Sequence, residues 1–290
     1  MILRAAGAVL ILVGLALLAF DFVSADVAPE PHPKHVAKKT HKSGLPVIEA
    51  MVAERQLDEI SGEAITPERL EDITLIFASA IVRYWPKAGE SDLEVLRSFR
   101  ENWLLAVMQR ASIWKTWNGV ARPPGELAYY ERRDYRMALA KGVGICSQAA
   151  LAIADYLRER KVPVLIAGLD GHVVAVAELQ GRSFIVDADY GVVLPMSMTE
   201  VEADPTRIRE AYLARGYPRS TVERLERIFG SAGNKLVAPD GYAATSASRL
   251  KLFDIGVWLI PSALVLAGLL LLGRAHNHKS VRTSTPKATR

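Results

Sequence analysis

The chain has 290 residues, half of them apolar, with 36 Lys and Arg against 32 Asp and Glu and a single cysteine. This length allows one or two domains with a substantial core. Five of the basic residues lie in residues 274–290, which contain no acid, so the remainder holds 31 basic and 32 acidic residues. A balanced body gives no electrostatic case for nucleic-acid binding.

The first predicted element is an apolar helix near the N-terminus. Residues 5–20 carry no charge and follow Arg4. Segment 1–25 is either a signal peptide, cleaved at Val23-Ser24-Ala25, or a signal anchor that stays in the membrane. Both interpretations place the next residues outside the cytoplasm, and we favour the uncleaved anchor.

A flexible linker is predicted over residues 26–46, which mix Pro, Lys and His with few large apolar residues. Its histidines could form a metal tract, but their spacing along a Pro- and Lys-rich segment favours solvated side chains. They are His32, His35 and His41. We therefore expect no metal in this segment, and the thiol chemistry considered below for Cys146 requires neither a metal nor a cofactor.

Helical signals dominate from there to residue 160. Thr66-Pro67 predicts a helix start, with an N-cap followed by Pro at the first helical position. A second helix is predicted to start at Ser91-Asp92 and to run towards Arg110, and a third covers 126–140. The aromatic residues of this region are interpreted as packing residues between helices, with a ligand platform as the alternative: Trp85, Trp103, Trp114 and Trp117.

After residue 160 the pattern predicts strands. The runs 162–169, 172–179 and 183–188 are short, rich in β-branched residues and separated by Asp170-Gly171 and Gln180-Gly181. They indicate a small antiparallel sheet behind a helix, and hence an α+β fold. Residues 198–240 are predicted to be mostly helical, with Asp204-Pro205 starting one helix.

The last predicted element is a transmembrane helix over 253–273. Its 19 uncharged residues, 255–273, span roughly 28 Å as a helix, close to the ~30 Å hydrocarbon core of a bilayer. The basic tail 274–290 is typical of a cytoplasmic segment and suits anionic lipid headgroups. The predicted domain, 47–250, then lies outside the cytoplasm, in the periplasm if the host has two membranes, anchored to the inner membrane.

The question raised by Cys146 is whether its thiol is chemically reactive or only a packing group. It follows Gly142 and Gly144 and opens an apolar helix. A single cysteine in an oxidising compartment is an inert thiol, an intermolecular bridge or a nucleophile. A nucleophilic thiol needs a helix N-terminus or an imidazolium to favour its thiolate. Free N–H groups at the helix start suit an oxyanion, and Gln148 is a secondary candidate for that role.

His172 is the only histidine within the predicted domain, and it begins a strand. Its alternative interpretation is a structural strand-end residue. If Gln180-Gly181 form a two-residue turn, Leu179 pairs with Arg182 and the register of the hairpin is fixed.

Two acids on the next strand could orient this histidine. In that register His172 lies opposite Asp189, about 5 Å away, and diagonal to Asp187, about 7–8 Å away. Both acids share its face of the sheet because side chains alternate. The register leaves the choice between them open, and an Asp-x-Asp before Tyr-Gly is also a turn sequence.

Several motifs between residues 125 and 195 resemble the transglutaminase-like superfamily, a branch of the papain-like fold. They are G-x-C-x-x-x-A (Gly144, Cys146, Ala150), KVPVLIAG, GHVVAVAEL and FIVDADYGVV. The resemblance implies that Cys146 is the nucleophile, His172 the general base and acid, and Asp187 the orienting carboxylate. Departures from the family pattern weaken the case for protein cross-linking: Ser147 for Trp, Val173 and Val174 for an aromatic residue, and Ala188 for Pro.

The sequence thus predicts a membrane-anchored cysteine enzyme. It would attack an amide or ester carbonyl through a thioester, with hydrolysis by a protease or amidase favoured over cross-linking. Its expected partners are a protein or peptide substrate in the cell envelope and membrane lipid. One alternative is a non-catalytic scaffold or binding module of the same fold. The other is a redox sensor that pairs between chains through Cys146.

Overall fold

The structure is a computed structural model of the chain. It describes residues 2–24, 28–29, 31, 44–62, 64–84, 97–117, 131–231, 233–242 and 247–283, with no side-chain description for 112–117, 247–250 and 276–283. Most of the predicted linker, with its three histidines, lies outside the described residues. So do Trp85, the predicted helix start at Ser91, and the end of the basic tail.

Within the described residues the protein is α+β, as the sequence predicts. The helices are α1 (Ile2–Ser24), α2 (Ala50–Ser61), α3 (Pro67–Ala80), α4 (Phe99–Trp117), α5 (Tyr135–Lys141), α6 (Cys146–Glu159), α7 (Met198–Ala203), α8 (Arg209–Ala214), α9 (Arg219–Phe229) and α10 (Ala247–Thr283), with 3-10 turns at Pro205–Ile208 and Pro239–Gly241. The strands are β1 (Val82–Arg83), β2 (Val143–Gly144), β3 (Val164–Leu169), β4 (His172–Leu179), β5 (Arg182–Asp187), β6 (Val192–Leu194) and β7 (Lys235–Val237).

The chain divides into two compact units. The first contains Met1–Val27, Arg97–Ala111 and Ser248–Arg290, and the second contains Ala28–Leu96 and Ser112–Ala247. The first unit therefore carries the two apolar helices, and the second carries the sheet and Cys146.

In the first unit, α1 and α10 are long and apolar enough to cross a membrane, with candidate spans Ile2–Ser24 and Lys251–Ala275. Their backbones meet at glycines. A Cβ atom on Gly7 would lie 2.8 Å from the carbonyl oxygen of Gly268, and one on Gly14 would lie 2.6 Å from that of Pro261. Small residues that permit such close approach are typical of helix pairs in membranes.

Helix α4 begins later than the sequence predicts. Residues 97 and 98 are not helical, so the prediction of one continuous helix from Ser91 to Arg110 is wrong there. The reason is local capping: Ser98 Oγ accepts from the N–H of Glu101, and Glu101 accepts from the N–H of Ser98. Asn102 is non-helical (φ −169°, ψ 100°). Its Oδ1 accepts from the N–H of Leu105 and so caps the next helical turn.

The second unit has three layers, and the middle one is a five-stranded antiparallel sheet of order β6-β5-β4-β3-β7. Helix α6 packs on β3 and β4, and α2, α3 and α5 complete that layer. The segment 198–229 covers the opposite face, on which Val174, Val176 and Ile185 lie. Strand β4 is therefore buried on both faces, which explains its nearly continuous apolar sequence.

The start of α6 is shaped by the segments before it. The sequence predicts a helix over 126–140; residues 126–130 lie outside the described part, and 131–134 are not helical, so the prediction is wrong there. Asp134 instead caps α5, accepting from the N–H of Met137 at 3.1 Å. Gly142 then ends α5 in the left-handed region (φ 72°). The predicted cap at Thr66-Pro67 is confirmed, and the helix predicted to start at Asp204-Pro205 is the short 3-10 helix Pro205–Ile208, capped by Asp204.

Candidate active site

Cys146 is the first residue of α6, where free backbone N–H groups and the helix dipole favour negative charge. Its side chain lies in the core, with 8% of the residue exposed. Gly144 has no room for a side chain, because a Cβ atom there would lie 2.5 Å from Cβ of Gln148. The glycine therefore lets the chain turn tightly into the helix that carries the thiol.

His172 lies at the start of β4 and is 2% exposed. Its Nε2 is 2.8 Å from Oδ2 of Asp187, and Cys146 lies close enough to the ring to help raise its pKa. Since Nε2 faces the carboxylate, Nδ1 is the ring nitrogen left for the sulfur. Burial lowers the pKa of His172, but the charge and hydrogen bond of Asp187, helped by Cys146 and Asp189, outweigh it and raise the pKa from 6.5 to about 10.

The hairpin has the register predicted from its turn. Leu179 pairs with Arg182, and Gln180 and Gly181 both have positive φ, at 52° and 75°, as a two-residue hairpin turn of this kind requires. The sequence does not decide whether Asp187 or Asp189 orients His172. In the structure it is Asp187 that contacts the histidine. Strand β5 ends at Asp187, so Asp189 lies beyond the paired residues.

Asp187 is fully buried and accepts four hydrogen bonds. Oδ2 accepts from His172 and from the hydroxyl of Tyr212 at 2.6 Å, while Oδ1 accepts from the N–H groups of Asp189 and Tyr190, both at 3.2 Å. A carboxylate has about four acceptor positions, and here all four are filled. The carboxylate that faces His172 is therefore fixed in orientation by the protein.

Tyr212 is a site residue that the sequence did not reveal. It lies on α8 and is fully buried. Burial first, and then the adjacent Asp187, raise its pKa well above the ordinary value, so the hydroxyl remains a donor. No local sequence pattern links it to the histidine, because the link depends on how segment 198–229 packs on the sheet.

Aromatic side chains surround the imidazole. Tyr190 meets His172 edge-on at 5.4 Å between ring centroids, and Phe229 lies at 6.4 Å. Tyr217 packs on Tyr190 at 4.9 Å and donates to its carbonyl oxygen at 2.8 Å. This packing keeps His172 away from water and fixes its ring plane.

Arg83 is the second residue that the sequence did not reveal. Its Nη1 donates to Asp189 at 2.8 Å and to the hydroxyl of Tyr190 at 3.1 Å. Arg224 donates to the same hydroxyl at 2.8 Å. Burial lowers the pKa of Arg83, but Asp189, Tyr190 and Cys146 outweigh it and raise the pKa. Asp189, the second candidate acid, is thus an ion-pair partner of Arg83.

Gln148, the secondary candidate for oxyanion binding, is held by the backbone of Arg132. Its amide oxygen accepts from the N–H of Arg132, and its amide nitrogen donates to the carbonyl of Arg132, both at 2.7 Å. We therefore assign Gln148 a structural role in fixing residues 131–132 beside α6. The neighbouring Ser147 also bonds to this segment, because its hydroxyl donates to Oε1 of Glu131 at 2.6 Å.

Tyr242 follows the 3-10 turn Pro239–Gly241 and lies within electrostatic range of Cys146. Burial, followed by the charges of Cys146 and Glu131, raises its pKa to about 12, so it remains protonated. Its ring packs near Gly168, where an added Cβ would lie 3.4 Å away. Tyr242 also lines a cleft of about 530 Å³ whose other lining residues include residues 168–170, Asn234 and Lys235.

Comparison with known proteins adds no relative: no family model, curated protein or solved structure matches the chain. Among the described residues, no group of three or more His, Cys, Asp or Glu could hold a metal ion.

Proposed function

We propose that the protein is a membrane-anchored thiol enzyme that cleaves amide bonds through a thioester. The observation that carries the proposal is the buried line of side chains from Cys146 through His172 to Asp187, which are 8%, 2% and 0% exposed. Each contact in this line joins groups that a thiol enzyme requires: a nucleophile, a base and an orienting carboxylate.

The pKa of His172, about 10, makes it an imidazolium at neutral pH. An imidazolium beside sulfur favours the thiolate, which is the attacking species. Asp187 supports this state because it neutralises the charge on the ring. His172 would otherwise be an uncompensated buried cation.

The proposed reaction has two halves. The thiolate of Cys146 attacks the carbonyl carbon, and the developing oxyanion lies near the first N–H groups of α6. The C–N bond then breaks, and Nδ1 of His172 gives its proton to the leaving amine. Water next attacks the thioester while His172 takes its proton, so the acid leaves and the imidazolium–thiolate pair is restored.

The resemblance to the transglutaminase-like superfamily supports the same roles for Cys146, His172 and Asp187. Hydrolysis is favoured over cross-linking because Ser147 and Val173 depart from the family pattern. The two apolar helices and the basic tail support an inner-membrane protein whose site faces the periplasm. Its substrate would then be a protein or peptide of the cell envelope.

The test is the alkylation rate of Cys146 by iodoacetamide as a function of pH. The full chain in detergent suffices, since Cys146 is its only thiol. We expect reaction to persist well below pH 8 and to fall at least about tenfold at pH 6 in His172→Gln and Asp187→Asn. Glu178→Gln, an exposed change on the same strand, is the matched control and should leave the profile unchanged.

A rate that rises only near pH 8.5 and does not respond to His172→Gln would contradict the proposal. That result would favour the non-catalytic scaffold. Complementation of a deletion strain by Cys146→Ala would independently support the scaffold. Disulfide-linked dimers on a non-reducing gel, lost in Cys146→Ser, would support the redox sensor instead.

A further inference from the structure

We propose that α4 is a third membrane-contacting element, in which residues 103–111 lie along the bilayer surface with one apolar face turned to the lipid acyl chains. This inference rests on the membrane-anchored part of the proposed function, because it requires that α1 and α10 span a bilayer. It does not depend on the chemistry of Cys146.

The exposed side of α4 is apolar and its buried side carries polar groups. Val107 is 45% exposed and Met108 is 41% exposed, whereas Asn102 and Gln109 are buried. A helix that faces water has the opposite arrangement. Five apolar side chains form this face, in two neighbouring rows spaced four residues apart: Trp103, Val107 and Ala111, and Leu104 and Met108.

Polar contacts attach this segment to both apolar helices. Trp103 Nε1 donates to Oδ2 of Asp21 on α1 at 3.2 Å. Nδ2 of Asn102 donates to Oδ1 of Asp254 on α10 at 3.1 Å. The segment Arg97–Ala111 accordingly belongs to the same compact unit as the two apolar helices, although it is distant from both in the sequence.

These contacts lie at one end of the helix pair. The glycine contacts between α1 and α10 show that the two helices are antiparallel, because later residues of α1 meet earlier residues of α10. The same offset places Asp21 level with Asp254, and both acids lie just outside the uncharged runs 5–20 and 255–273. Helix α4 is therefore attached where the hydrophobic part of each candidate span ends, which is the depth at which headgroups begin.

Lipid is the occupant that the surroundings of this face favour. The candidate spans expose large apolar side chains beside the same two acids: Phe22, Val23, Leu252 and Ile255. Since Trp103 contacts Asp21, the apolar face of α4 continues this surface. Segment 97–111 also carries three arginines and one acid, Glu101, which suits anionic headgroups. Helices with such an apolar face and flanking basic residues lie roughly 5–10 Å into the boundary between headgroups and acyl chains.

Depth-dependent quenching of single fluorescent labels tests this inference. Cys146 is the only cysteine, so Cys146→Ser provides a background in which one new cysteine carries a bimane label. The labelled full chain is placed in vesicles of phosphatidylcholine and phosphatidylglycerol. The phosphatidylcholine carries bromine atoms, which quench the label, either near the headgroup or near the ends of the acyl chains.

We expect labels at Val107→Cys and Met108→Cys to be quenched about twofold more by bromine near the headgroup than by bromine near the chain ends. Leu266→Cys should show the reverse order, because Leu266 is 59% exposed and lies near the middle of the run 255–273. Glu178→Cys, at an exposed position on β4, is the control in water and should be quenched by neither lipid.

Quenching at residue 266 without quenching at residues 107 and 108 would overturn the inference and leave the two spans intact. Labels at 107 and 108 that neither bromine nor aqueous iodide quenches would show that protein covers the face, as in a dimer, and would also overturn it. No quenching at 266 would show that the anchoring itself fails, and this inference with it. Because Cys146 is buried, Cys146→Ala serves as a second background if the serine variant folds poorly.

Discussion

Replacing Tyr212 with Phe should destabilise the protein by removing one hydrogen bond and little else. The hydroxyl donates to Asp187 at 2.6 Å, and both residues are fully buried. A hydrogen bond to a charged group contributes about 1.5–3 kcal/mol. The ring itself, packed on Tyr190 at 5.8 Å and Phe229 at 6.5 Å, is retained in the variant. We therefore expect a loss of about 2 kcal/mol in the free energy of unfolding.

The measurement is the unfolding temperature of the full chain in detergent, monitored by near-UV circular dichroism. For a domain of about 200 residues, a loss of about 2 kcal/mol lowers this temperature by roughly 4–8 °C. Tyr217→Phe is the matched control. It removes a buried donor of the same kind, but its acceptor is the neutral carbonyl of Tyr190 at 2.8 Å, so we expect a smaller decrease.

The alkylation profile of Cys146 adds a second readout. With one donor fewer, the carboxylate of Asp187 attracts the proton of His172 more strongly, so Tyr212→Phe should keep the reactivity of the thiol at pH 6–7. A temperature loss no larger than that of Tyr217→Phe, or a collapse of reactivity like that expected in Asp187→Asn, would refute this reasoning. Tyr212 is thus predicted to support the carboxylate and not to move protons.

Three further predictions concern His172, Gln148 and the contact between the apolar helices. The pKa of His172 is about 10 in the folded chain and 6.5 when unperturbed, so its contribution to stability is complete below pH 6.5 and is lost as the pH rises towards 10. The difference in unfolding temperature between wild type and His172→Gln should shrink over that window, and a difference that grows with pH would contradict the assignment. Gln148→Leu removes two buried hydrogen bonds to Arg132 and should cost about 2–4 kcal/mol, measured as a lower unfolding temperature; an unchanged temperature would show that these bonds are unimportant. Gly14→Leu should separate the apolar helices and lower thermal stability in detergent, whereas Gly273→Leu, with nothing within 4 Å of its Cβ position, should not; equal effects would argue against the helix contact.

The sheet and the helix start were predictable because local chemistry decides them. Gln180-Gly181 requires a two-residue turn, and that turn alone sets the pairing of Leu179 with Arg182. The apolar residues after Cys146 likewise predict a helix, and the structure buries that helix on nearly all sides. The choice between Asp187 and Asp189 was not predictable, since the register places both acids near His172, and it depends on where β5 ends.

The remaining site residues were hidden because tertiary packing brings them in. Tyr212 is 25 residues from Asp187, and Arg83 is 106 residues from Asp189. Nothing in either local sequence distinguishes them from packing and surface residues. The helix predicted over 126–140 was wrong at 131–134 because Asp134 ends the irregular segment as a cap, a role that the charged residues Glu131, Arg132 and Arg133 before it did not show.

The contact between the two apolar helices bears on how the domain that carries Cys146 could be released if both helices span a membrane. One of these helices precedes Cys146 in the chain and the other follows it, so a domain anchored in this way is tethered at both ends. A single protease cut in either connection leaves Cys146 attached through the other. The glycine contacts at Gly7 and Gly14 would also keep the cut N-terminal piece bound to the helix that carries Gly268. If both helices span a membrane, release of the domain that carries Cys146 would therefore require two cuts, and a nicked molecule would remain a non-covalent pair.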